Sequence, residues 1–168
     1  MEVVIITGMS GAGKTASSDI FEDLGYYTLD NMPPSLLLSF IDLTTKSKKK
    51  INKIACVMDI RGGEFFDDLM KSITLLKSQS IDVRILYLDA SDAILIRRYK
   101  EHRRPHPLAI NGNISQGIAN ERELLSEARN AADFIINTSN LTLGELRRKI
   151  LSAFSLENVD TRLAISVV

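Results

Sequence analysis

The eight residues Gly8-Met9-Ser10-Gly11-Ala12-Gly13-Lys14-Thr15 satisfy the pattern G-x-x-x-x-G-K-[ST] in full, and their flanks decide what the match means. Before them runs Val3-Val4-Ile5-Ile6-Thr7, a β-branched apolar burst that predicts a strand. After them Lys14–Leu24 carries Ala16, Ile20, Phe21 and Leu24 at helical spacing. A strand, a glycine-rich turn and a helix in that order build a phosphate cradle. The glycines let backbone N–H groups converge on anionic oxygens, the helix N-terminus adds positive dipole, and Lys14 reaches the β and γ phosphates. Thr15 offers a hydroxyl to Mg²⁺. The pattern therefore implies a nucleoside triphosphate ligand and a P-loop fold.

The rest of the chain repeats the alternation of strand and helix. Gly25 ends the first helix, Tyr26–Asp30 predicts a short second strand, and Asn31-Met32-Pro33-Pro34 is a turn whose prolines open a helix over 35–43. Ile54–Asp59 and Val83–Leu88 predict the third and fourth strands, each bordered by an acid, Asp59 and Asp89, and Phe134–Thr138 predicts the fifth. Further helices are expected over 65–76, from a cap at Ser91 or Asp92 through Tyr99, over 115–129 and over 143–154. Apolar bursts separated by helical stretches imply an α/β protein, a P-loop NTPase with a five-stranded parallel sheet in a three-layer αβα sandwich. The 168 residues allow one compact domain, expected over 1–154. Residues 155–168 read as a linker or a truncated second domain, and the apolar Leu163–Val168 as an edge strand or that domain's beginning.

Composition narrows the partners. Lys+Arg and Asp+Glu both total 21, so the formal charge is zero, which disfavours a chain-wide nucleic-acid or acidic-membrane binder. A hydrophobic fraction of 45% with 25% charged residues predicts an ordered core rather than a disordered chain. Cys56 is the sole cysteine and His102 and His106 the only histidines, too few for a four-ligand zinc site. Glu2 stands where an export signal wants a base, and no membrane span is evident, so a reduced, cytoplasmic protein is expected.

Beyond the cradle, Asp59 lies where P-loop proteins hold a second acid beside Mg²⁺; a strand-end turn cap is the plainer alternative. Asp59-Ile60-Arg61-Gly62 spells D-x-x-G, in which a glycine amide can report on a γ-phosphate, and Arg61 either counters phosphate charge or lies on the surface. Asp30 and Asn31, at the end of the second strand, either face an acceptor or a metal-bound water, or make only an Asx turn before the prolines. Arg97, Arg98, Arg103 and Arg104 follow the fourth strand, where phosphoryl-transfer enzymes place clamp arginines; a solvated basic face is the alternative. Thr138-Ser139-Asn140 is a weak candidate for contact with the base. No N-K-x-D motif reads guanine, because Asn52-Lys53 is followed by Ile54-Ala55. The lysines over 46–50 and the loop over 103–106 are basic patches without interleaved aromatics for RNA stacking.

Taken together, Gly8–Thr15, Tyr26-Tyr27-Thr28-Leu29-Asp30-Asn31-Met32-Pro33, Asp59-Ile60-Arg61, Leu88-Asp89-Ala90 with Ile96-Arg97-Arg98-Tyr99, and Arg103-Arg104-Pro105-His106-Pro107-Leu108 resemble the RapZ/YvcJ family of bacterial P-loop proteins, also called RNase adapter proteins. The resemblance runs from Met1 to about Leu151. It implies an N-terminal domain similar to small-molecule kinases that binds ATP and GTP and hydrolyses them weakly. Gly8–Thr15 would be the ATP segment and Asp59–Gly62 the GTP segment. It further implies that some members bind a small regulatory RNA and present it to an endoribonuclease, largely through a C-terminal domain that family members carry beyond the point where this chain stops. Gly62 stands where some relatives are expected to have Asn.

Three readings remain. One is a regulatory nucleotide-binding domain, able to form a homo-oligomer, with slow Mg²⁺-dependent NTPase activity in which Lys14, Asp59 and the arginines act on the phosphates. A second is a small-molecule kinase in which Asp30 activates an acceptor hydroxyl while Lys14 and Mg²⁺ hold the γ-phosphate and Arg97, Arg98, Arg103 and Arg104 stabilise the transfer. A third, an RNA-adapter module in its own right, rests on the lysine run and the basic loop.

Overall fold

Continuous β-branched runs suit a parallel sheet covered on both faces, because neither face of such a strand meets water. The computed structural model, which describes residues 1–46, 51–60, 63–102 and 113–155, bears this out for the three central strands, while the two edge strands keep exposed residues. Strand β1 (Glu2–Gly8) is buried from Val3 onward. It is followed by α1 (Lys14–Asp23), β2 (Tyr27–Leu29), a 3-10 turn (Pro34–Leu36) leading into α2 (Leu37–Lys46), and β3 (Lys53–Val57). Next come α3 (Gly63–Ser78), β4 (Asp82–Asp89), α4 (Asp92–His102), α5 (Ile114–Leu124), α6 (Ser126–Ala131) and β5 (Phe134–Asn137). Helix α7 (Leu143–Ile150) and a π-helical turn (Leu151–Ser155) close the described chain.

All five strands are parallel in the order β2-β3-β1-β4-β5. The carboxyl ends of all strands therefore share one edge, and β1 holds the centre with β3 and β4 beside it. The connection leaving β1 runs towards β2 and that leaving β4 towards β5, so the two diverge above adjacent strands and open a crevice there. Helices α1 and α7 pack together, while α3 packs with α2 and α6. The two groups cover the sheet.

Phe154, in the π-helical turn, stacks edge-on against Phe21 of α1 at 5.2 Å and Phe134 of β5 at 4.7 Å, tying the end of the described chain to the helix that follows the P-loop. Cys56 is buried in β3, and burial pushes its thiol up to about 12.

The predicted strands coincide with the observed ones to within a residue or two. The helices differ in three places. The stretch expected as one helix over 115–129 is two, because Leu125 leaves helical geometry (φ −96°, ψ 0°) between α5 and α6. The helix expected over 143–154 widens to π geometry after Ile150. The helix after the prolines begins as a 3-10 turn, with Pro34 at its first position. Among the described residues, no helix is long and apolar enough to cross a membrane.

Candidate functional site

Gly8–Thr15 leaves the carboxyl end of the central strand and enters α1, as the sequence predicts. Gly8 is the residue the register cannot vary. It pairs with Leu88 at φ +142°, and a Cβ there would lie 2.1 Å from the Leu88 carbonyl oxygen. Met9 N–H donates to that same carbonyl at 3.0 Å, so the loop starts pressed against β4. Gly13 caps α1 at φ 106° without any side-chain hydrogen bond to the helix amides, leaving the first turn of α1 open at its positive end.

Lys14 folds back so that Nζ donates to the Gly8 carbonyl at 3.0 Å, across the mouth of the loop. Thr15 is exposed one residue further along. Asp59 is exposed just beyond β3, on a segment held to β1 by Met58 N–H donating to the Ile6 carbonyl at 2.9 Å. Ile60, beside it, is 1% exposed. Its aliphatic side chain belongs to the core, and only its backbone is left to meet a ligand.

The outside of the loop is braced by side chains from distant sequence. Arg98 of α4 donates from one terminal nitrogen to the Gly11 carbonyl at 2.7 Å and to the Thr138 hydroxyl at 3.2 Å, and from the other to the Thr138 carbonyl at 2.9 Å. Burial lowers the pKa of its guanidinium, with Glu101 opposing. The Thr138 hydroxyl donates to the Ala12 carbonyl at 2.7 Å. In a trans peptide N–H and C=O point opposite ways, so fixing the Ala12 carbonyl on Thr138 turns the Gly13 N–H away from the β5–α7 turn.

A second brace comes from α5. Ser10 N–H donates to Glu121 Oε1 at 2.7 Å and the Ser10 hydroxyl to Oε2 at 2.6 Å, with Glu121 fully buried. Its neighbour Arg122 grips the end of β4, donating to Asp89 at 2.8 Å, Asp92 at 2.7 Å and the Ala90 carbonyl at 2.6 Å. Burial works against that charge, but the two carboxylates prevail and raise the pKa of Arg122.

The structure thus brings the P-loop, Thr138 and Arg98 together. Arg98, grouped by sequence with the clamp arginines, has its guanidinium committed to Gly11 and Thr138. Arg97 is exposed on α4. Asp30 is exposed after β2, and its Oδ1 accepts the Asn31 N–H at 2.9 Å, with Asn31 at φ 53°. Arg61, Gly62, Arg103, Arg104 and His106, the lysines at 48–50 and the segment 156–168 lie outside the described residues, so the D-x-x-G segment is described only through Asp59 and Ile60. Glu121 and Arg122 were not anticipated. The available signal was an acid on the buried stripe of Ile118, Leu125 and Ala128.

A five-stranded 2-3-1-4-5 parallel sheet with a P-loop at its central strand defines the kinase-like class of P-loop α/β proteins. Solved structures agree. A shikimate kinase from Acinetobacter baumannii in complex with shikimate superposes with a TM-score of 0.60 at 21% identity, covering 93% of each chain. A gluconokinase from Sinorhizobium meliloti 1021 does so at 0.56 and 18%, covering 96% of this chain and 97% of its own. At these identities the likeness is one of fold. The chain belongs to the family described as the RapZ-like N-terminal domain, which matches residues 1–158. A relative from Finegoldia magna named nucleotide-binding protein is 89% identical over all 168 residues, and one of the same name from Lysinibacillus sphaericus is 52% identical over 99% of the chain. The chain spans only 59% and 56% of those two proteins.

Proposed function

We propose that this chain is a regulatory nucleotide-binding domain that takes ATP and GTP with Mg²⁺ and hydrolyses them slowly. The observation that carries the reading is the phosphate loop itself: an uncapped α1 N-terminus with Lys14 across its mouth, on a loop whose carbonyls are already held outward by Arg98 and Thr138. The names of the bacterial relatives support it. Backbone N–H groups from Gly13 to Thr15 would cradle the β-phosphate, and Lys14 would leave the Gly8 carbonyl for the β and γ oxygens.

The Thr15 hydroxyl and the Asp59 carboxylate are hard oxygen donors, both exposed at the carboxyl edge of adjacent strands. They fit Mg²⁺, whose remaining ligands would be phosphate oxygens and water. Asp59, Ile60, Arg61 and Gly62 would form the second nucleotide-facing segment, and Arg97 and Arg104 would meet phosphate charge. The small RNA and endoribonuclease partners implied by the family resemblance would be engaged by the longer protein, outside this domain.

The kinase reading draws on one feature, the exposed Asp30 carboxylate at the same sheet edge. Calorimetric titration with ATP and GTP in Mg²⁺, alongside phosphate release, tests the proposal. Lys14→Ala removes a charged hydrogen-bond donor worth about 1.5–3 kcal/mol, so affinity for both nucleotides is expected to fall roughly 10- to 150-fold. Equal affinity in the variant overturns the assignment. Turnover that saturates with a small alcohol or sugar acceptor transfers it to the kinase reading.

A further inference from the structure

We infer that Glu121 is a positioning residue for the phosphate loop, holding its first half in the shape that leaves the second half free for anions. The inference rests on the nucleotide-binding reading and goes beyond it, since no feature of the P-loop pattern calls for an acid 111 residues away.

Glu121 is fully buried on α5. A buried carboxylate is tolerated only when its oxygens are satisfied, and here each oxygen receives a donor from one residue, the Ser10 N–H at 2.7 Å and the Ser10 hydroxyl at 2.6 Å. That geometry fixes the Met9–Ser10 peptide. Its N–H points at α5, so the Met9 carbonyl points the opposite way, and that carbonyl accepts the Ala12 N–H at 3.0 Å.

Met9–Ala12 is thereby closed into a turn whose Met9 amide is taken by Leu88, whose Ser10 amide is taken by Glu121 and whose Ala12 amide is taken by Met9. The same turn is held from its other side by Arg98 at Gly11 and Thr138 at Ala12. What the loop still presents are the amides that follow. The negative charge that fixes the turn is the group least compatible with a phosphate, so it must act from behind the loop, where the Ser10 N–H and hydroxyl stand between the carboxylate and the cradle. A purely apolar residue at 121 would leave the Ser10 N–H without this acceptor.

Three variants of the purified protein separate positioning from simple support. Glu121→Ala removes both acceptors. Glu121→Gln keeps the shape, since its carbonyl oxygen accepts the Ser10 N–H and its amide donates to the Ser10 oxygen. Ser10→Ala removes the hydroxyl contact alone. The readouts are calorimetric affinity for Mg²⁺-ATP, affinity for inorganic tripolyphosphate, and melting temperature. Glu121→Ala is expected to weaken ATP and tripolyphosphate by the same factor, about tenfold or more, because the damage lies in the cradle.

Glu121→Gln is expected to stay within about threefold of wild type, and Ser10→Ala to fall between the two. If Glu121→Ala does not fold, Ser10→Ala and Glu121→Gln carry the test: Ser10→Ala must weaken both ligands more than Glu121→Gln does. Lowered melting temperatures with unchanged affinities mean that Glu121 merely supports α5, and overturn the inference while sparing the proposed function. A wild-type protein that binds neither ligand overturns both.

Discussion

The two halves of the sheet's carboxyl edge are built differently. On the side of β1, β4 and β5, the P-loop is held by Leu88, Arg98, Glu121 and Thr138, and the end of β4 by Arg122, through a dense set of short hydrogen bonds. On the side of β2 and β3, Asp30 and Asn31 are exposed and bonded to each other, Asp59 is exposed, and Asn31 sits at positive φ. The phosphate half is preorganised before any ligand arrives. The half where a kinase would seat its acceptor presents Asp30, Asn31 and Asp59 to solvent. A protein that recognises the state of a bound nucleotide needs a shaped phosphate loop, and the braces on this half are what the proposed regulatory reading draws on.

Three substitutions break or sharpen the contrast. The largest effect is expected from Gly8→Ala, which forces a Cβ to within 2.1 Å of the Leu88 carbonyl oxygen at a φ that L residues rarely adopt. Backbone cannot yield as a side-chain tip does, so a loss of about 4 kcal/mol or more is expected in urea denaturation. A loss under about 1 kcal/mol would mean that the loop is not pressed against β4.

Thr138→Val comes next. It keeps the shape but deletes the hydroxyl that donates to Ala12 and accepts from Arg98, leaving a buried carbonyl short of its partner, at a cost of about 1–3 kcal/mol by the same measurement. An unchanged denaturation midpoint would show that the brace is redundant. Asp30→Asn, on the open half, should shift stability by no more than about 0.5 kcal/mol, as exposed sites usually do. Its effect on ATP affinity should stay within about twofold. Loss of phosphoryl transfer to an added acceptor in this variant alone would return the open half to catalysis.

The same asymmetry decided how much could be read from sequence. The P-loop was legible because its pattern is local, eight contiguous residues between a strand and a helix. The strands were legible because they are short apolar runs, with aliphatic β-branched residues in all but β2. Its braces were not legible, because Arg98 reaches Gly11 across 87 residues and Glu121 reaches Ser10 across 111, and periodicity says nothing about which helix faces which loop. The break at Leu125 escaped notice for a related reason. Neither Gly nor Pro marks it, and the continuous stripe of Ile118, Leu125 and Ala128 reads as one helix. Where an acid interrupts such a stripe, as Glu121 does, the interruption was itself the clue to a contact.

The braces also order events in time. Translation delivers the motif at residues 8–15 first, yet Leu88, Arg98, Glu121 and Thr138, which give it shape, arrive up to 126 residues later. A nascent chain that has emerged only through β3 carries the complete signature and none of its mould. The contacts that shape the loop are therefore complete only once β5 docks beside β4 and Thr138 reaches Ala12.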